Sequence, residues 1–233
     1  MAGMLLEVFQ DKERYTNEYR AMLGQVLLSQ AGYTHDREKR ILQLLKLRLP
    51  EKALHSCEVM LKDMADSKRI NANIKILKKN SDIPLGWFDA LILSKEFWPS
   101  FQGEELLPAA RVQEVMDVYA AGYKKLKNPR SLHWQTELGV AELEVHVGGR
   151  SRVFQTSASR ASVILRFEEK PEWLASELAA TVEVSDSTLR GHAGFWVAQG
   201  VLRATEAPYG DLKYSVAQVL GEGAGGEGEK EEE

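Results

Sequence analysis

A single cysteine, Cys57, stands among the 233 residues, which excludes an internal disulfide and any paired-cysteine zinc or redox motif. No apolar run approaches the roughly 18 residues that a membrane span requires. The opening MAGMLLEVFQDKERY meets Asp11, Lys12 and Glu13 too early for a signal sequence. These absences predict a soluble intracellular protein with no membrane partner. The sequence also holds no GxxxxGKS/T phosphate loop, no GxGxxG after a strand pattern and no HExxH.

Charge of one sign is scarce outside one end. The formal net charge is −4, but the tail GEGAGGEGEKEEE from Gly221 carries six Glu and one Lys, a net of −5, so the residues before it carry +1. Gly plus Glu cannot build a core, and residues 218–233 read as a disordered acidic end. A near-neutral body gives no general attraction to nucleic acid. With 44% hydrophobic residues the chain has enough apolar mass for one large core or two to three small ones.

Apolar spacing of three and four residues predicts helices in the first 80 residues. Tyr15, Tyr19, Met22, Leu23, Val26 and Leu27 make one stripe between Glu13 and Gln30. Thr34 is placed to cap a second helix, which Ile41, Leu42, Leu44, Leu45, Leu47 and Leu49 make apolar on more than one side and Pro50 closes. A third, from Glu51, buries Leu54, Cys57, Leu61 and Met64, with Glu58, Lys62 and Asp63 off that stripe. Residues 1–80 therefore read as a helical bundle.

Residues 81–156 read as a small α/β layer of four strands: Phe88–Leu93, Leu132–Leu138, Ala141–Val147 and Arg152–Thr156, with a helix from Pro108 in between. Gly148-Gly149 predicts a tight hairpin. From Ser157 the helical period returns, Ser185 is placed as a cap, and VLRATEAPYGDLKYSV reads as two short strands about a turn. Three helices and a hairpin over residues 157–217 are the order of a winged helix. The fold class is thus α+β: bundle, four-strand layer, winged helix.

Catalytic constellations are lacking. Cys57 lies on a buried stripe without a placed base, and reads as a small core hydrophobe. His133 and His146 read as a solvent-facing polar pair rather than a metal site, and no cofactor is indicated. A winged helix used on DNA needs a basic third helix; here Arg190, His192 and Gln199 stand against Asp186, with Glu206 and Asp211 in the wing. DNA binding by a transcriptional regulator is therefore the alternative reading, and nucleic acid is not an expected partner.

The stretches YTNEYRAMLGQVLLSQ, ILQLLKLRLPEKALHSCEVMLKDMADSKRINANIK, ALILSKEFWP, LHWQTELGVAELEV and LRFEEKPEWLASELA, in that order, resemble the C-terminal region of cullins over roughly Leu5 to Val216. The resemblance implies a non-catalytic scaffold of a multisubunit RING-type ubiquitin ligase acting in cell division, in nucleus and cytoplasm. It implies a zinc-binding RING subunit as partner, whose extended N-terminal segment adds as a strand to the α/β layer, with other ligase subunits beside it and a ubiquitin-conjugating enzyme recruited indirectly. Leu132, Trp134, Thr136, Leu138, Ala141, Leu143 and Val145 are the residues assigned to that docking. Leu93, Phe97, Trp98 and Pro99, crowded at the end of one strand pattern, are assigned to the core together with Trp173 and Trp196. Two departures from the family pattern are expected to matter: the N-terminal helical repeats and the second winged helix are absent, so the chain reads as a piece or a short product, and no lysine for a ubiquitin-like modifier is assigned.

Overall fold

Tyr19, Leu23 and Leu27 recur every four residues, and helix α1 (Lys12–Ser29) buries that stripe. The computed structural model describes residues 12–29, 35–79, 81–101 and 103–221; Thr34 and residues 222–233 of the acidic end lie outside them, whereas Leu220, within the span 218–233 read as disordered, is buried in a core. Helix α2 (Asp36–Lys46) turns Leu42 and Leu45 inward, and Pro50, in extended conformation, stands at the N-cap of α3 (Glu51–Leu77). Over its 27 residues α3 buries Leu54, Cys57, Met60, Met64, Ser67, Asn71 and Ile74. Burial pushes the Cys57 thiol up to about 11, so it is protonated and unreactive at neutral pH. Helix α4 (Ala110–Lys127) buries Val115, Met116, Tyr119 and Tyr123.

The chain gathers into two compact units. One takes the residues up to Phe101 together with 114–132; the other takes 102–113 and everything from His133. The core of the first unit joins α1, α2 and α3 through residues such as Leu23, Leu27, Leu54 and Met60, and Trp98 closes it.

The second unit begins its regular structure with an antiparallel hairpin. Strand β1 (Val140–Val147) pairs with β2 (Arg150–Ser157) in the register Val147↔Arg150, Leu143↔Phe154 and Ala141↔Thr156. Gly148 and Gly149 make the turn at φ 59° and 79°, a left-handed pair that suits the twist of a two-residue hairpin. Helix α5 (Ala158–Leu165) starts at Ser157, whose Oγ accepts from the Arg160 N–H. A short strand β3 (Glu172–Leu174), which carries Trp173, precedes α6 (Ala175–Val182). Helix α7 (Asp186–Ala198) is capped by the Ser185 hydroxyl on Thr188 N–H, and β4 (Leu202–Glu206) and β5 (Leu212–Val216) follow. Strands β3, β5 and β4 form one antiparallel sheet in that order.

Trp196 is the centre of this second core. It has no exposed surface, donates its Nε1–H to the Arg160 carbonyl at 2.8 Å, and meets Phe154 edge-on at 5.3 Å. Trp173 donates to the Arg166 carbonyl at 3.2 Å. A strap of residues 103–109 crosses the same unit. Leu107 N–H donates to the Val182 carbonyl at 2.9 Å, and the buried Arg166 guanidinium donates to the Leu107 and Pro108 carbonyls at 3.2 and 2.9 Å. Glu104 accepts from the Ser185 N–H at 2.7 Å, and that bond holds its carboxyl below the usual carboxylate range.

The four-strand layer is corrected by the sheet topology. Among the described residues β1 pairs with β2 alone, and Phe88–Leu93 and Leu132–Leu138 belong to no ladder. The run 132–138 ends in a turn, with Leu138 N–H on the Gln135 carbonyl, and its Thr136 hydroxyl accepts the Leu106 N–H at 2.8 Å. An alternating pattern says that alternate side chains are covered; it does not say that a strand covers them.

The hairpin glycines separate two effects. A Cβ on Gly148 would lie 2.2 Å from the Gln218 carbonyl oxygen, while one on Gly149 would meet nothing within 4 Å. Gly149→Ala is expected to cost about 1 kcal/mol, the left-handed strain alone, and Gly148→Ala about 2–4 kcal/mol because backbone must also shift. Urea unfolding of the two variants checks the difference, and equal losses would contradict it.

Candidate functional site

Asp63, Ser67 and Asn71 stand four residues apart on α3, so they lie one above the other on a single face. Four residues of helix rise about 6 Å. Two residues of extended chain advance about 6.6 Å. A straight run laid along that face can therefore meet one helix side chain at every second residue. The run Phe88–Ser94 contains neither turn nor bend and does this.

Asn71 bonds both main-chain groups of Ala90: its Oδ1 accepts from the Ala90 N–H at 3.1 Å and its Nδ2 donates to the Ala90 carbonyl at 3.0 Å. Ser67 Oγ accepts from the Ile92 N–H at 2.8 Å while donating to the Asp63 carbonyl at 2.7 Å. The Asp63 carboxylate accepts three times, from the Ser94 N–H at 2.8 Å, the Ser94 hydroxyl at 3.0 Å and the Trp98 Nε1–H at 2.8 Å. The helix thus substitutes for a neighbouring strand, satisfying groups that would otherwise be buried unpaired. The Tyr119 hydroxyl donates to Asn71 Oδ1, and its ring lies edge-on to Phe88 at 5.6 Å.

This arrangement accounts for the crowded aromatics. Trp98 is 5% exposed, held by its indole nitrogen and packed in the first core, with Leu93 and Phe101 against it. Pro99 lies beside Gly24 of α1, where an added Cβ would come within 3.3 Å of the proline ring. Phe97 is half-buried and meets His55 edge-on at 5.4 Å.

In an extended chain the main-chain groups of alternate residues point to opposite edges. The even-numbered residues 90, 92 and 94 face α3. The main-chain N–H and C=O groups of Asp89, Leu91 and Leu93 have no hydrogen-bond partner among the described residues. Among the described residues this leaves one main-chain edge of the run open, and Leu91 on it is 38% exposed.

The second unit carries edges of its own, since β1 and β2 pair only with each other among the described residues. Ala141, Leu143 and Val145 alternate inward on β1, with Leu143 and Val145 packed against the second core. Their side chains are committed, so what β1 offers a partner there is main chain. Leu132, Trp134, Thr136 and Leu138 are half-buried and irregular. The docking residues assigned from sequence are therefore not brought together on one strand face.

A cleft of about 220 Å³ is lined by Arg69, Ile70, Asn73, Leu126 and Lys127, two cations and an amide among apolar side chains. Among the described residues no three His, Cys, Asp or Glu side chains are grouped to hold a metal, and no helix is long and apolar enough to cross a membrane.

Residues 92–208, half of the chain, match the family model described as the cullin alpha+beta domain. The chain belongs to the cullin family. This cullin is 39% identical over 205 residues to a Mus musculus protein named anaphase-promoting complex subunit 2, covering 86% of the chain and 24% of that relative. An Arabidopsis thaliana protein of the same name is 36% identical over 207 residues, again covering 86% of the chain and 24% of the relative. Mouse cullin-4A is 28% identical over 189 residues, covering 80% and 25%. The chain spans about a quarter of the length of these relatives.

Sequence reasoning placed Asp63 among charges off the buried stripe of α3, read Tyr119 only as an apolar position of the helix from Pro108, and passed over Ser67 and Asn71. The available signal was the polar series Asp63, Ser67, Asn71 at helical spacing, one member of which, Ser67, and another, Asn71, fall on the buried stripe of α3. Asp63→Ala is expected to lower stability by about 2–4 kcal/mol, because two N–H donors lose their partner, and Trp98→Ala by about 3–5 kcal/mol. Asp66→Ala, which removes only an exposed pair with Arg69, is expected to change stability by under about 0.5 kcal/mol. Chemical denaturation measures all three, and a loss for Asp63→Ala no larger than for Asp66→Ala would refute the carboxylate's role.

Proposed function

We propose that this chain is a non-catalytic, cullin-like scaffold of a multisubunit RING-type ubiquitin ligase, the anaphase-promoting complex, and that it holds the RING subunit by accepting an extended segment of it as an added strand. The observation that carries this is the open edge of Asp89, Leu91 and Leu93: a straight main chain, already paired on one side and, among the described residues, unpaired on the other. Strand addition takes its hold from main-chain hydrogen bonds and its choice of partner from alternate side chains. Family membership and the names of the relatives support the same role. The free margins of the β1–β2 hairpin, with Ala141, Leu143 and Val145, are a second edge of the same chemistry.

Within this reading the three helices α5, α6 and α7 with the β3–β5–β4 sheet are a winged helix used for packing and assembly rather than on DNA. Other ligase subunits bind elsewhere on the full-length scaffold, the conjugating enzyme arrives through the RING subunit, and those two supply the catalysis. The protein then works in cell division, in nucleus and cytoplasm.

Co-expression with a RING-finger subunit followed by size exclusion tests the reading. Co-elution at micromolar concentration is expected. Leu91→Pro, which removes one outward N–H and leaves the bonds of Ala90 and Ile92 to α3 in place, is expected to weaken binding by about tenfold or more. Separate elution of the unsubstituted chain would defeat the scaffold reading, and undiminished binding by Leu91→Pro would move the partner off this edge.

A further inference from the structure

We infer that Asn71, oriented by Tyr119, is a positioning residue for strand addition: it fixes which main-chain groups of the 88–94 run face outward and keeps them ordered before a partner arrives. The inference rests on the strand-addition reading and goes beyond it by assigning the readiness of the edge to two residues that do not lie on it.

The chemistry of a primary amide carries the argument. One amide offers an acceptor and a donor at about the separation of a peptide group's own C=O and N–H, so Asn71 exchanges two hydrogen bonds with Ala90 as an opposite residue on a paired strand would. Turned end for end, the same amide would present donor to donor and acceptor to acceptor. The Ala90 N–H and C=O exclude that orientation, and the Tyr119 hydroxyl, donating to Oδ1, reinforces the one observed; Tyr119 is itself fully buried. Asn71 is 3% exposed, so solvent does not compete for these bonds.

Register follows from the same contact. With Ala90 held on α3, Asp89 and Leu91 must face outward; a slip of one residue would exchange the two sets and present different side chains to a partner. Lys75, one turn further along α3, ties the start of the run by donating to the Gly86 carbonyl at 3.2 Å and pairing with Asp89 at 3.0 Å. Asn71 is the rung between that tether and Ser67. A run held in this way binds without first having to be ordered, and the affinity of a partner scales with the fraction of time that the receptive conformation is present.

The test compares the full chain with Asn71→Ala, Tyr119→Phe and, as a control for general loss of stability, Leu27→Ala in the core of the same unit. Backbone order parameters of Asp89, Leu91 and Leu93 in the free chain are expected to fall from about 0.85 to below about 0.6 in Asn71→Ala, to fall part-way in Tyr119→Phe, and to hold in Leu27→Ala. Binding of a recombinant RING-finger subunit is expected to weaken about tenfold or more in Asn71→Ala, less in Tyr119→Phe, and under about twofold in Leu27→Ala. Unchanged order parameters in Asn71→Ala, or weakening by Leu27→Ala equal to that by Asn71→Ala, would overturn the inference. Should the unsubstituted chain not bind the RING subunit, the proposed function falls and the order parameters alone decide the role of Asn71. Should Asn71→Ala not fold, Tyr119→Phe, which keeps the ring and its contact with Phe88, decides it in the same way.

Discussion

A helix acts as the missing neighbour of an extended chain in this protein, and the rest of the first unit depends on that grip. Seven hydrogen bonds between Asp63, Ser67 and Asn71 on one side and Ala90, Ile92, Ser94 and Trp98 on the other hold the run. Each such bond contributes only about 0.5–1.5 kcal/mol net, but leaving its buried partner unpaired costs more. The main consequence is therefore placement. The grip delivers Trp98 into the core with its indole N–H satisfied, and among the described residues it leaves the opposite main-chain edge without partners.

The second unit solves a comparable problem by different means. A two-stranded hairpin is marginal by itself, and here Phe154 on β2 and Val147 on β1 are pinned into a core centred on Trp196. The strap of residues 103–109 is bound by a buried guanidinium, a helix-end carbonyl and a helix cap. In both units extended chain is stabilised largely by groups outside any sheet. Each unit consequently keeps strand margins free of its own ladders, which is the property a scaffold built on strand addition requires.

Much of this was legible from residue spacing. The stripe Tyr19, Leu23, Leu27 is the buried face of α1, Ser185 capped the helix it was placed to cap, and Gly148-Gly149 made the hairpin turn. The destination of the 88–94 run was not legible. A period of two reports coverage of alternate groups, and α3 supplies that coverage as a strand would. Asp63 was misplaced for a related reason: a carboxylate beside an apolar stripe is usually solvated, and only the fold brings Ser94 and Trp98 to it. The resemblance to cullins rested in part on MLKDMADSKRINANI and LSKEFWP, and these two stretches are the two halves of this one contact.

Amide hydrogen exchange along residues 89–94 of the free chain tests the central claim most directly. If α3 holds the run as described, Ala90, Ile92 and Ser94 exchange slowly while Asp89, Leu91 and Leu93 exchange fast, an alternation that neither a disordered loop nor a fully paired strand produces. Uniform rates along the run, fast or slow, would contradict it.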